Sequence, residues 1–323
     1  VRYIDELPLE IGAADPVSLD YCPLKRSGKS RVNILALGDV GTTVLIGLRL
    51  LGGDVISSIG ICDINKDNLA RLEMEINQIR YPFEDGNKLP KVEIVKEDKL
   101  FDCDVFIFCA SKGVPDLGTR GDVRMAQLDA NRDIITHFGD LAKSADFKGL
   151  VAVVSDPVDP LCKTLLECSG LKPSQVQGYG LGVMNARALY FAEKDERFAR
   201  YAVEGRVFGP HGEDLVIADS IDNYDDDLSR ELTELAVKAN LKVRELGYKP
   251  YIAPALSSAA ISILLTMRKQ WHYSSLYMGD GTIGAFLGIR NRITETGAEY
   301  ENTGMCDQLY GRIARAYKNL SKL

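Results

Sequence analysis

The chain has 323 residues, 46% of them hydrophobic and 26% charged, and its 39 Lys and Arg stand against 46 Asp and Glu for a net charge of −7. This composition can bury a core, which excludes disorder as the main state; no block of Lys and Arg offers a phosphate track, which argues against nucleic acid as a partner. The longest apolar run, near residues 259–265, falls far short of the about 20 residues of a spanning helix, and the N-terminal residues lack the charged-then-apolar pattern of a secretory signal. A cytoplasmic protein without a membrane partner is expected.

Residues 1–30 are irregular, contain Pro and Gly, and carry Lys25, Arg26 and Lys29. They read as an arm that packs on a neighbouring subunit or is partly mobile. From Val32 onward short apolar runs alternate with helical periodicity. Strands are expected over 32–37, 58–62, 92–95, 104–110 and 150–155, with helices over 42–51, 68–80 and 123–141. Strands of continuous apolar character that alternate with helices belong to a parallel sheet covered on both faces. Residues 31–156 are therefore expected to form a doubly wound α/β domain.

Residues 157–323 read as a mixed α+β substrate domain, with helices over 187–198, 228–246, 252–268 and 305–319 and strands over 202–208 and 283–289. No linker divides the halves, so they are expected to share an interface, a common place for a ligand pocket.

Seven cysteines, Cys22, Cys62, Cys103, Cys109, Cys162, Cys168 and Cys306, are scattered without a C-x-x-C pair and read as reduced thiols. His137, His211 and His272 lie far apart in sequence, and no metal site is expected.

The turn between the first strand and the first helix reads Ala36-Leu37-Gly38-Asp39-Val40-Gly41. This is the dinucleotide fingerprint G-x-G-x-x-G with alanine for its first glycine. Gly38 would let the backbone approach a pyrophosphate, Gly41 would allow the helix to pack closely on the strand, and the helix N-terminus would present N–H groups to the phosphates. Asp63 ends the second strand, where a carboxylate would hold the adenosine ribose hydroxyls and repel a 2′-phosphate, favouring NAD over NADP. Asp39 is the awkward member, since a carboxylate in a phosphate loop costs affinity unless it points away.

Further along, 151–161 reads V-A-V-V-S-D-P-V-D-P-L, 178–187 reads G-Y-G-L-G-V-M-N-A-R and 208–214 reads F-G-P-H-G-E-D. In these segments the sequence resembles the L-lactate/L-malate dehydrogenase family, the NAD-dependent 2-hydroxy acid dehydrogenases, whose corresponding motifs are S-N-P-V-D, G-x-x-L-D-x-A-R and G-E-H-G-D. The resemblance runs from Val32 to the C-terminus in the family's order. It implies a Rossmann-type cofactor half, reversible hydride transfer between NADH and a 2-oxo acid, a small-molecule substrate, and assembly as a homodimer or homotetramer. On this resemblance His211 takes the place of the histidine that exchanges the substrate proton. Arg187 takes that of the arginine that grips the substrate carboxylate with two parallel hydrogen bonds. Asn131 matches a residue near the nicotinamide ribose. A second arginine, which polarises the carbonyl as a loop closes, is either Arg124, counted back from Asn131, or Arg120, counted forward from Ala110. On the ungapped count Val114 falls where lactate enzymes carry glutamine and malate enzymes arginine, which disfavours oxaloacetate.

Two positions depart from the family. Its carboxylate partner of the catalytic histidine falls at Met184, and its S-N-P asparagine is Asp156. A thioether cannot accept a strong hydrogen bond from an imidazole N–H. Three readings follow: Asp156 replaces the missing partner of His211 from another direction, Asp156 recognises an amine- or imine-bearing substrate, or the chain is a catalytically impaired NAD-binding homologue. Asn185, beside Met184, is an acceptor one position out of register.

Overall fold

The computed structural model describes residues 1–83, 89–112 and 123–323, with the backbone alone at 123–125. Six strands, β1 (Ser30–Leu35), β2 (Ile56–Cys62), β3 (Lys91–Ile94), β4 (Val105–Phe108), β5 (Leu150–Val153) and β6 (Val176–Gly178), run parallel in the order β3-β2-β1-β4-β5-β6. Helices α1 (Asp39–Leu51), α2 (Lys66–Asn77), α3 (Val123–Ser144) and α4 (Val158–Ser169) connect them. The strand order reverses between β1 and β4, which opens a crevice at the carboxyl ends of the strands. Leu45 and Leu48 of α1 pack on one face of the sheet with Val32, Ile34 and Ile59, while Leu128 and Ile135 of α3 and Leu161 of α4 cover the other.

The second half contributes α5 (Leu181–Ala192), α6 (Tyr201–Glu204), an antiparallel pair β7 (Arg206–Phe208) and β8 (Val216–Ala218), and α7 (Asp226–Glu245). A π-helical turn, Leu256–Ile261, then leads into α8 (Ser262–Met267). Strands β9 (His272–Gly279), β10 (Gly284–Ile293) and β11 (Ala298–Tyr300) are antiparallel, and α9 (Asp307–Ser321) follows. These strands extend the same sheet: β9 joins β6 at Gly178 and Ser275, so the described residues build nine strands in one sheet.

That seam has little backbone pairing and is closed by buried side chains. The Tyr179 hydroxyl donates to Gln177 Oε1 (3.0 Å) and lies 2.7 Å from Thr266 Oγ1, and Thr266 in turn meets His272 Nε2 at 2.8 Å. His272 Nδ1 faces the Gln270 carbonyl at 3.0 Å, so the neutral ring is satisfied with Nδ1–H donating and Nε2 accepting. Burial pulls the His272 pKa down to about 4.

The N-terminal segment departs from the expected arm. Residues Ile4–Ile11 form a 3-10 helix, Ile4 and Leu7 are fully buried in a cluster with Met305, Leu309 and Ile313, and Arg2 pairs through its backbone with Met305. Apolar spacing at Ile4 and Leu7 puts both side chains on one face, and that face is taken by this chain's own α9. The expected strand over 202–208 is instead α6 followed by β7, with Gly205 ending the helix between them. The helix expected over 187–198 begins earlier, at Leu181, and ends at Ala192, with a short 3-10 turn at Glu196–Phe198. Helix α4 is an addition: its Pro160 sits in the first turn, where a missing N–H costs nothing.

Candidate active site

The glycine loop closes tightly. Ala36 has φ +71°, a left-handed conformation, and its N–H donates to the Cys62 carbonyl at 2.8 Å. A Cβ at Gly41 would collide with the Ala36 carbonyl, so only glycine fits there, whereas a Cβ at Gly38 would meet nothing within 4 Å. Asp63 folds back on the loop: Oδ2 accepts from the Leu37 N–H at 2.6 Å and Oδ1 from the Asn65 N–H at 2.8 Å. The carboxylate thus fixes the loop and still has lone pairs facing the cleft that it lines. Asp39, in the first turn of α1, pairs with Lys249 Nζ at 2.6 Å. This contact across 210 residues offsets the charge that made Asp39 awkward in a phosphate loop.

Asn131 is fully buried on α3. Its amide donates to the Asp156 carbonyl at 2.9 Å and its oxygen accepts from the Lys112 N–H at 3.0 Å. It ties the chain leaving β4 to the chain leaving β5, which sets where the Asp156 backbone stands.

His211 lies between β7 and β8, flanked by Gly209 at φ +90° and Gly212 at φ +150°. Its Nδ1 is 3.4 Å from Asp156 Oδ1. Burial alone would lower the His211 pKa, but the attraction and hydrogen bond of Asp156 outweigh burial and the nearby Arg187 charge, and the value is raised. Gly180 abuts the same ring: a Cβ there would sit 3.2 Å from His211 Cγ. Met184 is buried, and its sulfur lies 3.7 Å from Arg187 Nη1. Asn185 accepts from the Tyr201 hydroxyl at 2.8 Å.

Arg187 also donates from Nη1 to the Ala236 carbonyl at 3.2 Å, and among the described residues no carboxylate forms an ion pair with it. Burial lowers its pKa, yet a guanidinium stays charged, so it presents a partly desolvated cation with donors to spare. One cleft of about 1210 Å³ joins Gly38 and Asp63 to Asp156, Arg187 and His211. Val114 and Arg120 lie outside the described residues, and so does the side chain of Arg124 at the start of α3.

The other two histidines take no part. His137 is exposed and sits 2.8 Å from Glu97, and His272 belongs to the buried seam. All seven cysteines are unpaired thiols, and among the described residues no cluster of His, Cys, Asp and Glu suits a metal ion. Two residues in contact with the site, Gly180 and Lys249, were not anticipated. Gly180 lies inside a quoted motif and was open to attention. Lys249 carries no local signal, because its partner is on another element.

Residues 30–178 match the family described as lactate/malate dehydrogenase, NAD binding domain. That stretch carries the NAD-binding domain of the lactate/malate dehydrogenases. An L-lactate dehydrogenase of Treponema denticola is 30% identical over 186 residues, covering 57% of this chain and 56% of that enzyme. An L-lactate dehydrogenase of Staphylococcus haemolyticus is 23% identical over 84% of this chain and 88% of its own length. A malate dehydrogenase of Aliarcobacter butzleri is 23% identical, covering 77% of this chain and 81% of that enzyme. In fold, a minor L-lactate dehydrogenase of Enterococcus mundtii superposes with a TM-score of 0.74 at 20% identity, covering 91% of this chain and 97% of the other.

The match over residues 30–178 assigns the fingerprint loop to NAD, and the local geometry fits that cofactor. Gly38 leaves open space before α1, the first-turn N–H groups of that helix lack helical partners, and Asp63 stands at the end of β2. This family of NAD-dependent oxidoreductases includes lactate and malate enzymes among the relatives above, and no helix among the described residues is long and apolar enough to cross a membrane.

Proposed function

We propose that the chain is an NAD-dependent 2-hydroxy acid dehydrogenase, with residues 31–156 holding the cofactor and 157–323 supplying the substrate side. The observation that carries this reading is the His211–Asp156 pair, 3.4 Å apart in the same cleft as the half-buried Arg187, which no carboxylate among the described residues pairs with. Bound NADH supplies the hydride. His211 turns Nδ1 to Asp156 and keeps Nε2 for the substrate oxygen, to which it gives a proton in reduction and from which it takes one in oxidation. Asp156 holds the ring and favours the imidazolium, the task left open by Met184. Arg187 anchors the substrate carboxylate, and the loop arginine, Arg124 or Arg120, polarises the carbonyl. A valine at position 114 cannot pair with a second carboxylate, which turns the preference from oxaloacetate toward an apolar 2-oxo acid. The family also suggests a homodimer or homotetramer.

The test is NADH oxidation over a panel of short, branched, aromatic, dicarboxylic and amino-substituted 2-oxo acids. His211→Ala is expected to cut turnover on the active member by about 10²–10⁴-fold while NADH still binds. A second reading draws on the partly exposed Asp156 carboxylate, which suits a cationic substrate. Turnover confined to the amino-substituted members would support it. Silence across the whole panel, with NADH bound, would overturn both in favour of an NAD-binding protein without this activity.

A further inference from the structure

Lys249 follows α7, in the half of the chain opposite the fingerprint loop, and its Nζ stands 2.6 Å from Asp39 Oδ2. Asp39 is the first residue of α1, where unpaired N–H groups and the positive end of the helix dipole favour an anion. Pro250 and Tyr251, next in sequence after Lys249, line the same cleft as Gly38 and Asp39. A dinucleotide laid on this loop brings two phosphate charges beside the Asp39 carboxylate, and like charges so placed repel unless a cation stands between them. An ammonium has three N–H donors, and the Asp39 contact occupies one of them. The side chain is 60% exposed on an unbranched stem, so its remaining donors can turn toward the loop without breaking a buried contact.

We propose that Lys249 clamps the pyrophosphate of the dinucleotide, and that Asp39 holds the ammonium in place before the cofactor arrives. The cofactor is then gripped from both halves: by the backbone of the loop on one side and by a side chain of the substrate half on the other. Asp39 becomes a positioning residue in a site where, alone, it would repel the ligand. The inference rests on NAD binding by residues 30–178 and not on the hydride-transfer reading. It is therefore read from binding, which stays measurable if every 2-oxo acid is inert.

The experiment is fluorescence titration of NADH into the full chain and three variants, Lys249→Met, Asp39→Asn and the double variant, with thermal unfolding of each unliganded protein to confirm folding. Lys249→Met is expected to weaken NADH binding about tenfold, the loss of one charge-assisted hydrogen bond. The decisive comparison is Asp39→Asn against the double variant, since with the carboxylate gone any remaining effect of Lys249 acts on the dinucleotide itself. The double variant is expected to bind NADH more weakly than Asp39→Asn, with the gap narrowing as salt is raised. Equal affinities in those two proteins would overturn the proposal and reduce Lys249 to a neutraliser of Asp39. Adenosine, which has no phosphate, supplies the second arm. All four proteins are expected to bind it alike, and a loss confined to the Lys249 variants would show damage to the cleft instead of a missing phosphate contact.

Discussion

Asp156 changes what His211 needs from its surroundings. In a half-buried site beside Arg187 an imidazolium is disfavoured, and the Asp156 carboxylate reverses that balance. If His211 is the proton donor proposed above, its raised pKa keeps it loaded to higher pH. Asp156→Asn should therefore move the alkaline limb of kcat/KM for reduction toward acid and lower turnover at neutral pH. A pH profile that does not move in this variant would separate Asp156 from His211. A second residue-scale expectation concerns Ala36, which holds φ +71° where the fingerprint has glycine. A left-handed alanine costs about 1–2 kcal/mol, and glycine returns part of that as extra chain entropy on unfolding. Ala36→Gly should stabilise the fold by a net of about 0.5–1 kcal/mol, visible as a higher urea midpoint. At this scale much of the site was readable in the sequence. The loop, Asp63, Arg187 and His211 sit in contiguous motifs. The pairing of Asp156 with His211 stood as one of three readings, because two residues 55 positions apart meet only when β5 and the loop after β7 are placed together.

Helix α1 is held between the sheet and the π-helical turn, and a small residue makes that possible. A Cβ at Gly47 would stand 2.8 Å from Ala260 Cβ and 2.8 Å from Leu256 Cδ2. Alanine in a helix is worth about 1 kcal/mol over glycine, while overpacking costs about 1–3 kcal/mol. The Ala260 methyl is fixed to a helical backbone and cannot swing aside, so strain wins. Gly47→Ala should lower stability by about 1 kcal/mol in denaturant titration, and a gain would mean that the turn yields. In the parallel half β4 and β5 were readable because they are continuously apolar, whereas β6 is only Val176–Gly178 and, like α4, gave no such signal. The second half was harder. The run before β7 has the apolar residues of a strand, but Tyr201–Glu204 complete a helical turn that buries Tyr201 beside α5. The π-helical turn keeps helical spacing in sequence and adds a residue per turn only in three dimensions.

At the scale of the whole molecule, the seam between β6 and β9 ties stability to pH. His272 is neutral in the folded protein with its pKa pulled down to about 4 from 6.5. The unfolded chain then binds more protons between those values, so folding stability falls as pH drops through that window, by about 2–3 kcal/mol for a shift of this size. His211, with a raised pKa, acts in a different window: its contribution is present below 6.5 and fades as pH rises through its folded value. Urea titrations from neutral pH to pH 4 should show the decline, and His272→Gln should flatten it. A slope unchanged in that variant would assign the acid sensitivity to other groups.

The continuous sheet has one more consequence, for the protein's history and for anyone who rebuilds it. The parallel strands β1–β6 and the antiparallel strands β9–β11 share a ladder and a buried polar network, so neither set is a cassette. A graft that trades one half for that of a relative must also import the residues that face it across the junction: Gln177 and Tyr179 on one side, Thr266, His272 and Ser274 on the other. Divergence is confined in the same way. Loops at the rim of the cleft can drift toward a new substrate one residue at a time, while the junction beneath them changes only in matched pairs.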